Sequence, residues 1–175
     1  MTIKTFTTAA AFVVTAGMVF ADGHAAGKTI VENAVDSPIH TTLVAAVTQA
    51  GLVETLSGAG PFTVFAPTDD AFGMIADASL GALLMDENKA QLTQILTCHV
   101  VGAEVFSDAL AGLIADNGGA FAVETLGGCT LNAEMDGDSI MLTDENGRAA
   151  TVAVADIASS NGVIHAIDRV ILPQQ

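Results

Sequence analysis

The hydrophobic period of this chain changes once, just after Gly119, and that change constrains the fold more than any other feature. Before it, apolar residues recur at three-to-four spacing: Ile30 with Ala34, then Leu43, Val44, Val47 and Ala50, then Leu92, Ile95 and Leu96. After it they alternate. Leu131, Ala133 and Met135 interleave with Thr130, Asn132 and Glu134, and Ile140 and Leu142 continue the pattern beyond Asp136-Gly137, a two-residue hairpin signal. Helices first and a meander afterwards predict an α+β domain with a packed sheet.

Punctuation residues divide the rest. The helical pattern runs from Thr29 to Ser57, broken at Gly51, with Leu52, Val53 and Leu56 as a second short amphipathic turn. Pro61–Ala66 reads as a short buried strand that Pro67 stops. Thr68 suits the N-cap of a helix opening on Asp69 and Asp70, whose charges complement the positive end of its dipole. Further helices are predicted over 86–97 and 107–115, the second ended by Asn117-Gly118-Gly119. Asn146-Gly147 marks another hairpin, followed by a strand over Thr151–Ala155. A last strand is predicted from Val163 to Leu172, apolar on both faces and therefore central or doubly covered. Asp168 and Arg169 interrupt it, so it emerges or bulges there.

Residues 1–21 have the layout of a secretory signal peptide. Lys4 precedes an apolar run from Ala9 to Phe20, and Val19-Phe20-Ala21 ends it with small residues where cleavage would occur. A buried N-terminal helix is the other reading. Residues 22–28 form a short flexible leader and 29–173 the folded domain, which places the mature protein in the periplasm or outside the cell. Export makes a Cys98–Cys129 disulfide the leading expectation, with two buried free thiols as the alternative. His24, His40, His99 and His165 are dispersed, and neither Cys lies in a C-x-x-C pair, so no metal site is expected.

Charge removes several classes of function. Against 20 acidic residues stand 5 basic ones, giving a net charge of −15, and the five are scattered. Nucleic acid and anionic lipid surfaces both need clustered Lys or Arg. Trp and Tyr are absent, which leaves few rings for stacking on sugars. No nucleophile elbow, phosphate loop, zinc-protease helix or dinucleotide fingerprint occurs. Neither catalysis nor a cofactor is expected. The acids near the hairpins, Asp136, Asp138, Asp144 and Glu145, lack the spacing of a calcium loop and read as a solvated face.

Three ordered segments resemble the fasciclin, or FAS1, domain. The first joins Thr42–Leu52 to Gly60-Pro61-Phe62-Thr63-Val64-Phe65-Ala66-Pro67-Thr68-Asp69-Asp70-Ala71-Phe72 and is similar to that family's first conserved box. The second, Leu96–Val101, resembles its Tyr-His motif, with Cys98 where Tyr is usual and His99 matching. The third, Ser160–Pro173, resembles its second box and contains Asn161, Gly162 and His165. The resemblance implies a wedge-shaped β-sandwich with N-terminal helices packed around it. It also implies a secreted or surface module for adhesion and binding to a protein, cell-surface or matrix partner.

On this reading Phe62, Phe65, Pro67, Thr68, Phe72, Asn161, Gly162 and His165 chiefly specify the fold. Asp156-Ile157 occupies the place of an Asp-Ile pair linked to receptor binding in adhesive relatives. Asp156 offers a carboxylate and Ile157 an apolar anchor, with His99 as a further candidate contact whose other reading is a satisfied, partly buried residue. The alternative for the pair is that Ile157 caps the core while Asp156 solvates a loop. A second reading of the whole protein is a carrier for a small apolar ligand, a carotenoid or lipid, in a groove where Met74, Met85 and Met141 adapt to it.

Overall fold

In the computed structural model, which describes residues 27–75 and 77–174, the chain first builds helices and then closes a sheet over them. The signal-peptide reading of residues 1–21, and most of the leader, lie outside the described residues. The helical pattern over 29–57 resolves into three helices: α1 (Ile30–Asp36), α2 (Thr41–Ala50) and α3 (Val53–Leu56). The expectation of a first helical run broken only at Gly51 missed Pro38, whose ring and missing N–H stop α1 two residues earlier. A capping box at Thr29 and Glu32 starts α1, and Gly51 ends α2 in the left-handed region at φ 74°.

Strand β1 (Phe62–Pro67) follows, and then α4 (Asp69–Gly73), which Thr68 caps through Ala71 N–H. Next come α5 (Asp77–Leu83), a 3-10 turn over Asp86–Asn88 and α6 (Lys89–Thr97). The two-residue strand β2 (Val100–Val101) and α7 (Ser107–Asp116) complete the first half. The meander is β3 (Ala120–Glu124), β4 (Thr130–Asp136), β5 (Ser139–Thr143), β6 (Ala149–Ser159) and β7 (Gly162–Ile167).

The strands run β2-β1-β7-β6-β5-β4-β3, with every neighbouring pair antiparallel except β1 and β7. β7 lies between β1 and β6 with all of its residues buried, as the two-faced apolar pattern predicts. It ends at Ile167 rather than Leu172, because Asp168 turns its carboxylate back to Thr151 N–H and the chain leaves the sheet. β6 runs four residues past the predicted Ala155, to Ser159, and carries two register shifts against β7. Bulges of this kind bend a strand sharply. The bend lets β6 serve both halves of the sheet, which fold over one another.

Two cores result. Between the two halves lie Phe65 and Ile167 with Val123, Leu131, Ile140 and Leu142. On the outer side of β1 and β7, Val64, Ala66 and Ile164 pack against Ile30, Leu43, Val47, Phe72, Leu92 and Leu96 of the helices. Alternation along β1 assigns neighbouring residues to opposite cores. This is the expected α+β sandwich with helices around it.

Candidate functional site

The second β6 bulge positions the residues of interest. It places Asp156 in left-handed backbone at φ 61°, a conformation that Asp tolerates better than most residues. There the Asp156 carboxylate accepts the Ser107 N–H at 2.7 Å and the Ser107 hydroxyl, at the first turn of α7. A negative charge and an acceptor are what a helix N-terminus lacks, and the local N-cap residue Phe106 supplies neither. Burial works against ionisation, but the Ser107 bonds outweigh it and hold the Asp156 carboxyl below its usual range.

His165 completes this junction. Its Nε2 faces Val105 O at 2.9 Å, and its Nδ1 accepts the Asp156 N–H at 3.3 Å. Those partners assign the donor role to Nε2 and the acceptor role to Nδ1. The ring stacks on Phe65, its register partner on β1, with centroids 5.7 Å apart. Ile157 points the other way and packs, half-buried, against the helix-side core. The pair therefore divides its labour: Ile157 is anchored, while Asp156 ties β6 to α7 and stays exposed.

Asp69 does for α2 what Asp156 does for α7. Its carboxylate accepts Thr42 N–H at 2.8 Å and the Thr41 hydroxyl at 2.7 Å. The expected partner was the helix that Asp69 itself opens; the bonds instead serve a helix 27 residues earlier in the chain.

Asn161 is the hub of the second box. Its Oδ1 accepts Ile30 N–H at 2.9 Å, and its amide donates to Leu56 O at 2.7 Å and Gly58 O at 2.9 Å. Next to it, a Cβ on Gly162 would lie 2.0 Å from Phe62 O, so only glycine lets β7 start against β1. Of the first box, Phe65, Pro67 and Phe72 are buried and Phe62 is half-buried against the helices.

His99 lies in the interior, 2% exposed. Nδ1–H donates to Ile95 O at 2.8 Å, and Nε2 accepts the Ile171 N–H at 2.9 Å. With both ring nitrogens occupied and no surface, it offers nothing to a docking partner; it clasps the C-terminal segment to α6. Burial pushes its pKa down to about 4, the Ile95 bond opposing only in part. Unfolding releases it to 6.5, so the unfolded chain binds the extra proton between those values. Stability is complete above that window and falls as pH drops through it. The loss expected between pH 7 and pH 4 is about 3 kcal/mol. Urea unfolding at the two pH values checks this, and a His99→Gln variant should lose most of the slope. His40, also buried and held below its ordinary value by burial, adds in the same direction.

Cys98 and Cys129 are joined in a disulfide, with Cα atoms 5.3 Å apart and both residues inside the inter-sheet core. Among the described residues, no group of three or more His, Cys, Asp or Glu is placed to hold a metal ion, and no helix is long and apolar enough to cross a membrane. An apolar cavity of about 130 Å³ lies beneath α1 and α2, lined by Val31, Ala34, Val44, Val47, Val64 and Leu96 among others. The methionines singled out for ligand binding do not line it. Met74 and Met85 are exposed, and Met141 lies on β5.

Local sequence reading missed the Ser107–Asp156 cap and the Asn161 hub, because the partners lie 49 and 131 residues apart. The only local clue was negative: α7 begins without Ser, Thr, Asp or Asn at Phe106.

Comparison with known proteins agrees with this architecture. Protein sll1483 of Synechocystis is 43% identical over 83% of this chain and 73% of its own. A second Synechocystis protein, sll1735, is 40% identical over 82% of this chain and 96% of its own. A solved FAS1 domain pair from the insect cell adhesion molecule fasciclin I superposes with a TM-score of 0.73 at 18% identity, covering 83% of this chain and 51% of that one. The sequence model of the Fasciclin domain matches residues 38–173, and the chain belongs to that family.

Proposed function

We propose that this is an exported, non-catalytic binding module that holds a protein or a cell-surface or matrix component through the outer side of β6. One observation carries the reading: the exposed run Ala153–Asp156, where the pairing of β5 has ended at Thr151 and β6 pairs with β7 alone. Val154 in that run is 47% exposed. An unpaired apolar edge is a template for another chain, and natural proteins block such edges unless they use them. Phe106, also exposed, sits beside the Ser107 that Asp156 holds. An extended segment of the partner would pair along the edge, with Asp156 receiving a donor and Ile157 fixing the strand from beneath. Fasciclin I, which shares the fold, is called a cell adhesion molecule, and residues 1–21 support export.

The test is crosslinking of the full chain to intact cells that export it. Val154→Lys blocks the edge with a charge while leaving stability within about 0.5 kcal/mol. Wild type should capture a discrete partner and the variant should lose it. Equal capture by both would remove the edge from the mechanism, and no capture by either would remove the binding role.

The second reading, carriage of a small apolar ligand, rests on the cavity beneath α1 and α2. At about 130 Å³ it is comparable to the roughly 150 Å³ site that admits benzene, far below a carotenoid. A larger ligand would have to lift α1.

A further inference from the structure

The two arginines of the chain, Arg148 and Arg169, converge on one cleft, 21 residues apart in sequence and on different segments. The cleft consists of two adjoining hollows, of about 660 and 280 Å³, that share Met74, Ile75, Arg148 and Leu172. Arg169 lines the smaller hollow; Gln91, Gln94 and Ile95, from the side of α6, line the larger.

In a chain with 20 acids and 5 bases, every guanidinium should find a carboxylate. Among the residues whose side chains are described, neither does: no such Asp or Glu oxygen lies within 4.0 Å of either one. The nearby acids are committed elsewhere. Asp144 accepts the N–H groups of Asn146, Arg148 and Leu172. Glu145 accepts those of Thr130 and Gln174, and Asp168 that of Thr151. The fold thus spends these three carboxylates on main-chain donors and leaves two forked donors facing a cleft whose walls mix Met74, Ile75 and Leu172 with Gln91 and Gln94.

We infer that this cleft binds a monocarboxylate with an apolar tail, its head group held by Arg148 and Arg169 and its tail laid along Met74, Ile75 and Leu172. Guanidinium pairs match carboxylate geometry through parallel N–H bonds. The net charge of −15 disfavours multiply charged anions over singly charged ones, since the surrounding field repels each added charge. The inference is independent of the β6 edge and of the cavity under α1, which lies on the other side of α6 where Leu96 points.

The experiment titrates octanoate into isotope-labelled full chain and follows backbone amide shifts, with octanol as the uncharged probe and octyl phosphate as the doubly charged one. Shifts are expected at Met74, Ile75, Gln94, Arg148, Arg169 and Leu172. The Arg148→Gln/Arg169→Gln double variant should weaken octanoate about tenfold or more while octanol binding stays unchanged. Both side chains are exposed, so the variant should keep its fold. Unchanged octanoate affinity in the variant, shifts confined to the cavity under α1, or no shifts at all would overturn the inference. Tighter binding of octyl phosphate would overturn the carboxylate assignment.

Discussion

Asn161→Leu is expected to remove about 4 kcal/mol of stability, a large share of what a single domain has. The side chain is 7% exposed and makes three hydrogen bonds, to Ile30 N–H, Leu56 O and Gly58 O. Leucine has the same branched shape, is somewhat larger, and has none of the polar atoms. Two of the abandoned groups, Ile30 N–H and Leu56 O, are in buried bonds, and each costs about 1–3 kcal/mol when left unpaired. Gly58 O is partly buried and recovers some of its loss from water. Asn161→Asp separates the polar role from shape. It keeps an acceptor for Ile30 but turns a carboxylate oxygen toward two carbonyls, so it should be no better than leucine. Urea unfolding of wild type and both variants reads the effect directly. Hydrogen exchange adds a local signature: the Ile30 amide should lose protection first, because it is the pin that holds α1 over the apolar cavity. A loss below about 1 kcal/mol would mean that β7 and α1 are held by packing alone.

That hub also marks where sequence reading succeeds and where it stops. Thr68 was legible because its bond to Ala71 spans three residues, and the Asp136-Gly137 hairpin because its register follows from the turn. The alternation placed Leu131, Ala133, Ile140 and Leu142 in the core correctly, but Met135 of the same row, beside the hairpin turn, is 40% exposed. Contacts supplied from far along the chain were not legible. Asp69 reads locally as the opening of its own helix yet bonds the start of α2, and Asp156 reads as a loop carboxylate yet caps α7. The parallel pairing of β1 with β7 had no local signal either, since it joins residues a hundred positions apart. Nor did the Arg148 and Arg169 cleft: each is an isolated cation in sequence, and only the fold of the C-terminal segment across α4 brings them to one wall. His99 shows the same limit. Its neighbours Val100 and Val101 already favoured a satisfied, buried ring over a contact, but the partner that makes it a clasp, Ile171 N–H, lies 72 residues away.

Removing the disulfide as Cys98→Ala/Cys129→Ala is expected to lower stability by about 3–4 kcal/mol. The two residues are 31 apart, and closing a loop of that length restricts the unfolded chain by that amount in the chain-entropy account. The folded state should change little. Cys98 ends α6, Cys129 immediately precedes β4, and the segment between β3 and β4 is already fastened to its neighbour by Leu126 N–H to Val100 O and Gly127 N–H to Thr97 O. Gly127 crosses so near that a Cβ there would lie 2.6 Å from Cys98 N, so backbone packing holds this corner independently of the sulfurs. Two consequences separate the unfolded-state effect from a packing loss. The urea m-value should rise, because an uncrosslinked chain exposes more surface on unfolding. Backbone amide shifts in the native state should move only around residues 97–101 and 125–130. A lower stability with an unchanged m-value and shifts spread through the inter-sheet core would assign the effect to packing instead. Thiol titration of the denatured, unreduced wild type should find no free thiol; two would show that the bridge is not formed in the isolated protein.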